Sequence, residues 1–584
     1  MGLRGVVLFF LMAAALPAQA WRGFAGDPQH TAISPVKSQA LSRIRWQMPV
    51  DLEPQYLAGE LLIHYGSPVI TAGNTVIVPV KTGAIEGFRV EARAAADGSL
   101  RWSQASDYTL PPHEWTPEFG VALTPQGRVY FPGAGGTVRF RDTPDAATGT
   151  QGQLAFFGAA NYTAAPQAYD AAVRINTPIT SDAAGNLYFG FVAGGTTPVP
   201  LASGVARIGS DGAGRWTAAT TASADPTMSQ VAYNCAPALS ADGKTLYLAI
   251  SNGVSGYLVA LDSATLAPLA RVRLRDPYSG MDAWLTDNAT SSPTVGPDGD
   301  VYYGVLDNPL GDNHERGWLL HFDATLAQRK TPGAFGWDDT ASIVPASMVA
   351  AYTGPSKYLL MTKYNDYAVA GGSGINRLAI LDPNATQSET RTGVTVMREV
   401  LTIAGVTPAP DSAGVKEWCI NSAVVDPGTR SILAGSEDGK LYRWDLTANA
   451  LTESAVLSSG IGEAYTPTVI GPDGTVYGIN NSILFAVGAA TAPVLQVAPD
   501  TLSFNFQLGA PAPPAQFLTI TSVPTGVVVQ VVAACPWLAA SPASGTTPLT
   551  AKITADITGI SPGSYPCSLS VHGPSGVTAN IRVR

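Results

Sequence analysis

Charged residues are scarce in this sequence of 584 residues, where they make up 13% of the chain. An average soluble domain has about 25%. The 34 Lys and Arg residues are outnumbered by 44 Asp and Glu residues, which gives a net charge of −10. No run of Lys or Arg and no basic patch is evident in the sequence. Proteins that bind nucleic acids neutralise phosphates with clustered cations, so the composition argues against a nucleic-acid partner.

Long apolar runs are also absent after the first twenty residues, since none reaches the roughly 18 residues that a membrane helix needs. Residues 1–20 combine Arg4, an apolar stretch from Val6 to Leu16 and a terminal Ala-Gln-Ala. This pattern is typical of a signal peptide, cleaved here after Ala20. No Cys follows the cleavage site, which argues against a lipid anchor. We expect a secreted or periplasmic monomer without a membrane span.

Cysteine is limited to four scattered positions, 235, 419, 535 and 567, a number that suits an oxidising compartment. Cys535 and Cys567 lie in the same C-terminal region, and we predict a disulfide between them. Cys235 and Cys419 occupy nearly the same place in two repeats that are three apart. We expect their Cα atoms to exceed the separation of about 7 Å that a disulfide tolerates.

What the sequence has in abundance is a repeated phrase of two short strands joined by a turn. Its model is Tyr465 to Tyr477, in which Asp473-Gly474 supplies the positive φ of a tight hairpin. Clear copies begin near Pro68, Pro178, Pro237 and Pro293, and looser ones near residues 120, 345 and 422. The eight copies recur about every 57 residues, within the range of propeller repeats.

Each unit continues with a third and a fourth strand and shows no helical periodicity, which predicts the four-stranded blades of a propeller. We therefore predict an all-β fold with an eight-bladed β-propeller over residues 21–488. Seven blades would result if the irregular unit from Ser342 joined a neighbour. Leu41 to Val50 forms a lone strand, and the last unit lacks its fourth strand. We expect the N-terminal strand to complete that blade and close the ring.

Residues 26–34 read Gly-Asp-Pro-Gln-His-Thr-Ala-Ile-Ser, and Asp-Gly turns precede Trp102 and Trp216. With Trp46, these features resemble the quinoprotein (PQQ-repeat-like) β-propeller superfamily over residues 22–488. That superfamily includes alcohol dehydrogenases dependent on pyrroloquinoline quinone (PQQ) and non-enzymatic outer-membrane assembly propellers. Its dehydrogenases have an adjacent Cys pair near the quinone, and some have a C-x-x-C-H haem motif, but this sequence has neither. We predict no cofactor, and PQQ with a divalent cation belongs only to an alternative interpretation.

The texture changes after residue 488, where a small-residue linker (489–493) precedes alternating strands over residues 494–584. Trp537-Leu538, a turn from Ser541 to Gly545 and a corner from Pro562 to Tyr565 resemble the BACON domain. That resemblance implies an immunoglobulin-like β-sandwich of a kind often attached to exported carbohydrate-active proteins. The alternative role for this domain is a spacer that displays the propeller.

Aromatic and acidic residues recur in the segments that lead into the first strand of each unit. In a propeller these segments converge around the central channel. The channel-face candidates are His64, Tyr65, Trp115, Glu118, Arg174, Asn234, Trp284, Asp287, Trp337, Asp339, Glu417, Trp418, Glu463 and Tyr465. Indole faces beside hydrogen-bonding acids suit the C–H faces and hydroxyls of sugars, which predicts binding of an extracellular glycan or an envelope protein. Alternatively, the indoles cover blade ends and the acids cap turns.

An enzyme at the channel mouth is the rival hypothesis. Polysaccharide cleavage requires two carboxyl groups about 5–10 Å apart, drawn from Glu118, Asp287, Asp339, Glu417 and Glu463, with Arg174 or His64 as a basic partner. A quinone-type oxidoreductase requires a planar apolar slot and a cation held by Asp287 or Asp339. Neighbouring side chains point apart in an extended segment, so we expect only one of Asp338 and Asp339 to face the channel.

Two further polar segments have more than one interpretation. In one interpretation of the loop from Gly311 to Gly317, Asp312 and Asn313 bind a cation, and in another His314 acts as a base. The loop lacks the spacing of known calcium or zinc motifs. We predict a solvated hairpin tip there. The Lys363–Tyr367 segment is equally ambiguous. No nucleophile elbow, P-loop or dinucleotide fingerprint occurs in a strand-to-helix setting.

Overall fold

A computed structural model describes residues 20–57, 59–61, 65–113, 117–286, 291–410, 412–418, 420–460, 465–489, 494–523, 526–574 and 577–584. The predicted signal sequence up to Gln19 and the residues His64, Trp115, Asp287, Cys419 and Glu463 lie outside the described residues. The chain forms two compact units that divide after Ala489. No helix in the described part is long and apolar enough to cross a membrane.

The first unit is a β-propeller, as predicted, with eight sheets that follow one another along the chain. Blade 1 comprises Val69–Ile70, Thr75–Lys81, Phe88–Ala94 and Leu100–Ala105. Blade 2 comprises Ala122–Leu123, Val129–Pro132, Thr137–Arg141 and Gln151–Ala155. Blade 3 comprises Val173–Ile175 and Thr180–Ser181, both paired with Leu187–Ala193, then Gly204–Ile208 and Gly214–Ala218. Blade 4 comprises Gln230–Val231 and Ala238–Leu239, both paired with Thr245–Ser251, then Gly256–Asp262 and Pro268–Arg273.

The remaining blades follow the same antiparallel order. Blade 5 comprises Thr294–Val295, Val301–Val305 and Trp318–Phe322, with isolated bridges to Arg329 and Gly333 in place of a fourth strand. Blade 6 comprises Ser342–Pro345, Tyr358–Lys363, Arg377–Ser388 and Thr395–Ala404. Blade 7 comprises Val424–Asp426, Ser431–Gly435, Lys440–Asp445 and Ala450–Val456. Blade 8 comprises Val469–Ile470, Val476–Asn480, Ile483–Gly488 and the N-terminal Arg43–Pro49. The irregular unit from Ser342 is therefore a blade of its own.

Short elements fill the connections. Tyr56–Leu57 pairs with Glu60–Leu61 before blade 1. The α-helices are Ala159–Ala164, Pro166–Ala172 and Ala219–Ser223, and the 3-10 helices are Ala134–Gly136, Ala346–Met348 and Ala368–Ala370. Helices of this length span at most about two turns, so they leave little helical periodicity in the sequence.

The N-terminal strand closes the ring, which confirms the predicted closure. Trp46 pairs with Ala486 and Met48 with Leu484, both on the last strand of blade 8. The Trp46 side chain is buried, and its Nε1–H donates to the Ala95 carbonyl of blade 1 at 2.8 Å. Trp46 thus joins the last blade to the first.

The residues before this strand cross one end of the channel. Backbone hydrogen bonds connect them to seven of the eight blades, through Ile70, Leu123, Leu239, Val295, Ile343, Val425 and Gly474. We call residues 21–39 the crossing segment. In the sequence this segment shows only a family resemblance, because no local pattern indicates which distant strands its backbone will bond.

The C-terminal unit is a sandwich of two sheets. One contains Val494–Ala498, Gln516–Val523, Leu549–Ala555 and Leu538–Ser541, and the other contains Thr501–Leu502, Thr578–Val583, Cys567–His572, Val528–Ala533 and Ser544–Thr546. Inward residues of both sheets, among them Leu518, Ile553 and Leu569, form one buried core. The predicted disulfide between Cys535 and Cys567 is present, with a Cα–Cα distance of 6.2 Å. Cys235 is a free, buried thiol.

Loss of that disulfide is expected to destabilise the sandwich. The bond spans 32 residues, and its removal should lower the unfolding free energy of this unit by about 3–4 kcal/mol. Hydrogen exchange of Gln516–Val523 in a Cys535→Ser/Cys567→Ser variant would measure the effect. The strands of blade 1 provide the internal control and should exchange as in the wild type. Unchanged protection of Gln516–Val523 would contradict the prediction.

Candidate functional site

The two ends of the propeller channel differ. We call the end from which the chain runs into the inner strands the front end, and the opposite end the back end. The crossing segment bonds the far ends of the inner strands at the back end, and its Phe24, Ala25 and Ala32 pack against Ala236, which precedes the inner strand of blade 4. A cavity of about 830 Å³ lies at the back end between that segment and blades 2–4. The described candidate residues lie on segments that lead into the blades at the front end.

A belt of polar residues, joined by hydrogen bonds, lies just before the inner strands of seven blades. Its members are Ser67, Glu118, Asn176, Asn234, Ser292, Thr340 and Asn421, one from each of blades 1–7. The Glu118 backbone N–H donates to Asn234 Oδ1 at 2.7 Å, although these residues belong to blades 2 and 4. A contact between blades that are two apart places both residues near the channel axis.

The belt continues through the other blades. The Ser292 hydroxyl donates to the Asn234 carbonyl at 3.3 Å, and the Ser292 N–H donates to Thr340 Oγ1 at 2.9 Å. The Thr340 N–H donates to the Asn421 carbonyl at 2.9 Å. These bonds fix the segments whose side chains face the front end.

Glu118 is a buried acid with few partners. Among the described residues, the hydrogen bond recorded for its carboxyl comes from the Ser67 N–H at 3.4 Å, which is long. Burial raises the pKa of Glu118 to about 8, so the carboxyl is largely protonated at neutral pH. A Cβ on Gly120 would lie 3.1 Å from Glu118 Oε1 and 3.3 Å from Pro178 Cα, so a glycine preserves the space beside this acid.

Polar atoms around Glu118 remain uncommitted. Ser67 Oγ and Asn234 Nδ2, on the two residues that are hydrogen-bonded to Glu118, are buried and have no hydrogen-bond partner within the described part of the chain. A buried polar atom without a partner costs about 1–3 kcal/mol. The front end therefore offers donors and acceptors that water or a hydroxyl-rich ligand can satisfy.

A second cluster lies across the front end in blades 6 and 8. Lys363 is fully buried and forms an ion pair with Asp338, and its Nζ lies 5.4 Å from the centre of the Tyr465 ring. Asp339 accepts from the Thr362 hydroxyl. Burial raises the pKa of Asp339 to about 7.

Asp338 and Asp339 contact different side chains, Asp338 the Lys363 ammonium and Asp339 the Thr362 hydroxyl. Asp338 has a φ of 44°, so the segment is not extended there. Both carboxyl groups are buried, and both contact the adjacent pair Thr362 and Lys363. The ambiguous Lys363 segment thus belongs to the front end.

Three candidate residues are used in packing instead of facing the channel. Glu417 accepts from the Val406 and Thr407 backbone N–H groups, at 3.0 and 2.9 Å. Trp418 is fully buried, with its ring edge-on to Tyr442 at a centroid distance of 5.1 Å. The Tyr65 hydroxyl is bonded to Asp51 and Ser482. Their positions correspond to the structural alternative, in which acids cap turns and aromatic rings cover blade ends.

The other described candidates differ in exposure. Arg174 Nε donates to Thr109 Oγ1 at 3.1 Å beside the extra strand of blade 3. Trp284 and Trp337 are half-buried on the segments that lead into blades 5 and 6. Among the candidate tryptophans that the structure describes, these two keep part of the ring surface exposed to a ligand, whereas Trp418 does not.

The loop from Gly311 to Gly317 is not the solvated tip that we predicted. Asn313 is fully buried, and its Nδ2 donates to the Gly317 carbonyl at 2.9 Å. His314 Nδ1 lies 2.5 Å from Asp366 Oδ1, which joins the loop to blade 6. The partner residue is distant in sequence, so no local signal predicted the contact.

Several belt residues were missed in the sequence. Ser67, Ser292 and Thr340 were not among the candidates because short polar residues are common in turns. A usable signal was their position, since Ser67 and Ser292 directly precede the proline that begins the phrase.

The described front-end residues do not fit a quinone with its divalent cation. Asp339 is bonded to Thr362 and to the Lys363 backbone N–H, and the side-chain cation there, Lys363, is paired with Asp338. No group of three or more His, Cys, Asp or Glu residues suited to a metal ion was found within the described ranges.

Comparisons with known proteins concern the fold. No protein-family model matches the chain, and no curated protein does. Among solved structures, a europium-containing methanol dehydrogenase aligns with 10% identity over 78% of this chain and 88% of its own, with a TM-score of 0.48. Quinohemoprotein alcohol dehydrogenase from Comamonas testosteroni aligns with 12% identity over 85% and 84%, with a TM-score of 0.48. Saccharomyces cerevisiae Sqt1 aligns with 10% identity over 78% and 100%, with a TM-score of 0.44. We infer no activity from these likenesses.

Proposed function

We propose that this protein is an exported β-propeller that binds an extracellular glycan at the front end of its channel. The observation that supports this proposal is that Ser67 Oγ and Asn234 Nδ2, beside Glu118 in the belt, have no recorded hydrogen-bond partner. A sugar hydroxyl both donates and accepts, so it can pair with a protonated carboxyl, an amide and a serine hydroxyl. An envelope protein is the competing ligand.

The half-buried indoles supply the second part of a sugar site. Trp284 and Trp337 each present a flat apolar surface, whereas Trp418 is buried and drops out of the proposal. Sugar C–H faces pack on such rings, and their hydroxyls reach the polar groups of the belt. In this proposal the C-terminal sandwich, which resembles a BACON domain, aids attachment.

Binding is expected to fall in a Trp284→Ala/Trp337→Ala variant. Each ring should contribute about 1 kcal/mol or more, so the dissociation constant should rise about 30-fold or more. Retention on a panel of immobilised polysaccharides, followed by calorimetry with the best ligand, would measure it. Trp537→Ala in the sandwich is the matched control and should keep the front-end affinity. Unchanged binding in the double variant would place the ligand elsewhere, for example in the back-end cavity.

A second candidate function is polysaccharide cleavage at the same end. The observation in its favour is Glu118, whose raised pKa of about 8 keeps it protonated at neutral pH, as a general acid requires. Mass spectrometry of polysaccharides incubated with the protein separates the two functions. Shortened products that disappear in Glu118→Gln would favour the enzyme, and intact polysaccharide with retained binding would favour the binding protein.

A further inference from the structure

Five basic residues gather at the outer edges of blades 4 and 5. On the outer strand of blade 4, Arg271 and Arg273 lie on one face, with their guanidinium carbons 5.3 and 4.8 Å from the centre of the Tyr257 ring. Arg275 follows two residues later, and Arg329 and Lys330 come from blade 5. No basic patch is predicted from the sequence, because these arginines alternate with apolar residues and form no continuous Lys/Arg run.

A cavity of about 200 Å³ opens beside three of these residues. Arg275, Arg329, Lys330 and His321 line it together with apolar side chains, and no acidic residue is in its lining. The cavity is thus a basic one on a protein whose net charge is −10.

The nearby carboxylates are already bonded to other cations. Asp300 accepts from Lys330 and from His321 Nε2, the latter at 2.8 Å. Asp282 accepts from Arg273 at 2.6 Å, and its carboxylate also attracts Arg275 electrostatically. Lys330 and Arg273 therefore have counter-ions.

Arg275 and Arg329 have backbone carbonyls as their recorded acceptors. Arg275 donates to Gly280 O at 3.0 Å, and Arg329 donates to Arg273 O at 2.7 Å. Partial burial and the nearby charge of Arg275 lower the pKa of Arg329. The two like charges line the same cavity and repel each other. An anion between them would relieve this repulsion.

The chemistry of the lining selects the kind of anion. A guanidinium forms two parallel hydrogen bonds with an oxyanion, so two of them hold a phosphate or sulfate group from two sides. The volume of about 200 Å³ accommodates such a group with bound water and excludes a folded chain. We propose that Arg275 and Arg329 form a binding site for a doubly charged tetrahedral oxyanion, sulfate or phosphate. This site is separate from the front end of the channel.

Calorimetric titration of the mature chain with sodium sulfate and with sodium phosphate, against sodium chloride at matched ionic strength, tests the proposal. We expect saturable binding that weakens at least 10-fold in Arg275→Gln and in Arg329→Gln, and that disappears in the double variant. Arg215→Gln, an exposed arginine of blade 3, is the matched control and should bind as the wild type does. Equal binding by the double variant and the wild type would overturn the proposal.

Thermal unfolding keeps the test independent of folding defects. Sulfate should raise the melting temperature of the wild type and of Arg215→Gln but not that of the double variant. Without sulfate, Arg275→Gln should melt close to the wild type, because the substitution removes the repulsion from Arg329 together with the bond to Gly280 O and the attraction to Asp282. A lower melting temperature without sulfate, together with a full sulfate response, would mean that Arg275 supports the fold and does not bind the anion.

The oxyanion has two sources, a free ion or a substituent on a larger molecule. Titration with a sulfated oligosaccharide separates them. Affinity equal to that of inorganic sulfate assigns the site to the free ion, and tighter binding that still depends on Arg275 and Arg329 assigns it to a substituent. Tighter binding that both variants retain would contradict the site.

Discussion

Trp46→Ala is expected to lower the unfolding free energy of the propeller by about 3–5 kcal/mol. The indole is buried between the first and last blades, where its Nε1–H donates to Ala95 O. The centre of its ring lies 5.8 Å from the centre of the Tyr477 ring. Truncation would leave a cavity and an unpaired carbonyl at the seam that closes the ring. Neighbouring blades bury each other, so the loss is expected to weaken blades 1 and 8 first.

Denaturant unfolding followed by circular dichroism would measure this loss, with Leu52→Ala as the control. Leu52 follows the same strand but is 51% exposed, so its truncation should change the free energy by no more than about 0.5 kcal/mol. Equal stability of Trp46→Ala and Leu52→Ala would mean that the seam does not depend on the N-terminal strand.

Glu118→Gln is expected to stabilise the protein at alkaline pH and leave it almost unchanged near pH 4.5. The folded-state pKa of Glu118 is about 8, above its ordinary value of 4.5. Between these values the unfolded chain has released a proton that the folded chain still holds. Rising pH therefore favours the unfolded state, and stability falls as pH rises through the folded pKa. The amide cannot ionise, so the variant should escape a loss of about 3–5 kcal/mol by pH 8.

Unfolding free energies of wild type and variant from pH 4.5 to 8.5 test this prediction. Taking their difference at each pH removes the contributions of other buried groups, such as Asp339. Glu86→Gln, at an exposed glutamate of blade 1, is the matched control. Its unfolding free energy should vary with pH as that of the wild type does. A constant difference between Glu118→Gln and wild type would show that Glu118 is ionised in the folded protein at neutral pH.

The front end was only partly predictable. Glu118 bonds Asn234 two blades away, and Lys363 pairs with Asp338 and lies over the Tyr465 ring. Glu417 and Trp418 occupy the equivalent position in blade 7 yet face inward between blades, toward Tyr442 and the Thr407 backbone. Side-chain direction in a connecting segment depends on the neighbouring blade, which the local sequence does not contain.

The sequence by itself determined the all-β class, the eight repeats and the closing strand. These features depend on local patterns, namely apolar two-residue strands, Asp-Gly turns and the missing fourth strand before residue 488. It also predicted the disulfide, because Cys535 and Cys567 share a short region. Tertiary structure alone decided that the crossing segment covers the back end, that Lys363 pairs with Asp338, and that Arg275 and Arg329 line one cavity. Each of these joins residues of different blades or segments, and such contacts depend on how the ring closes in space.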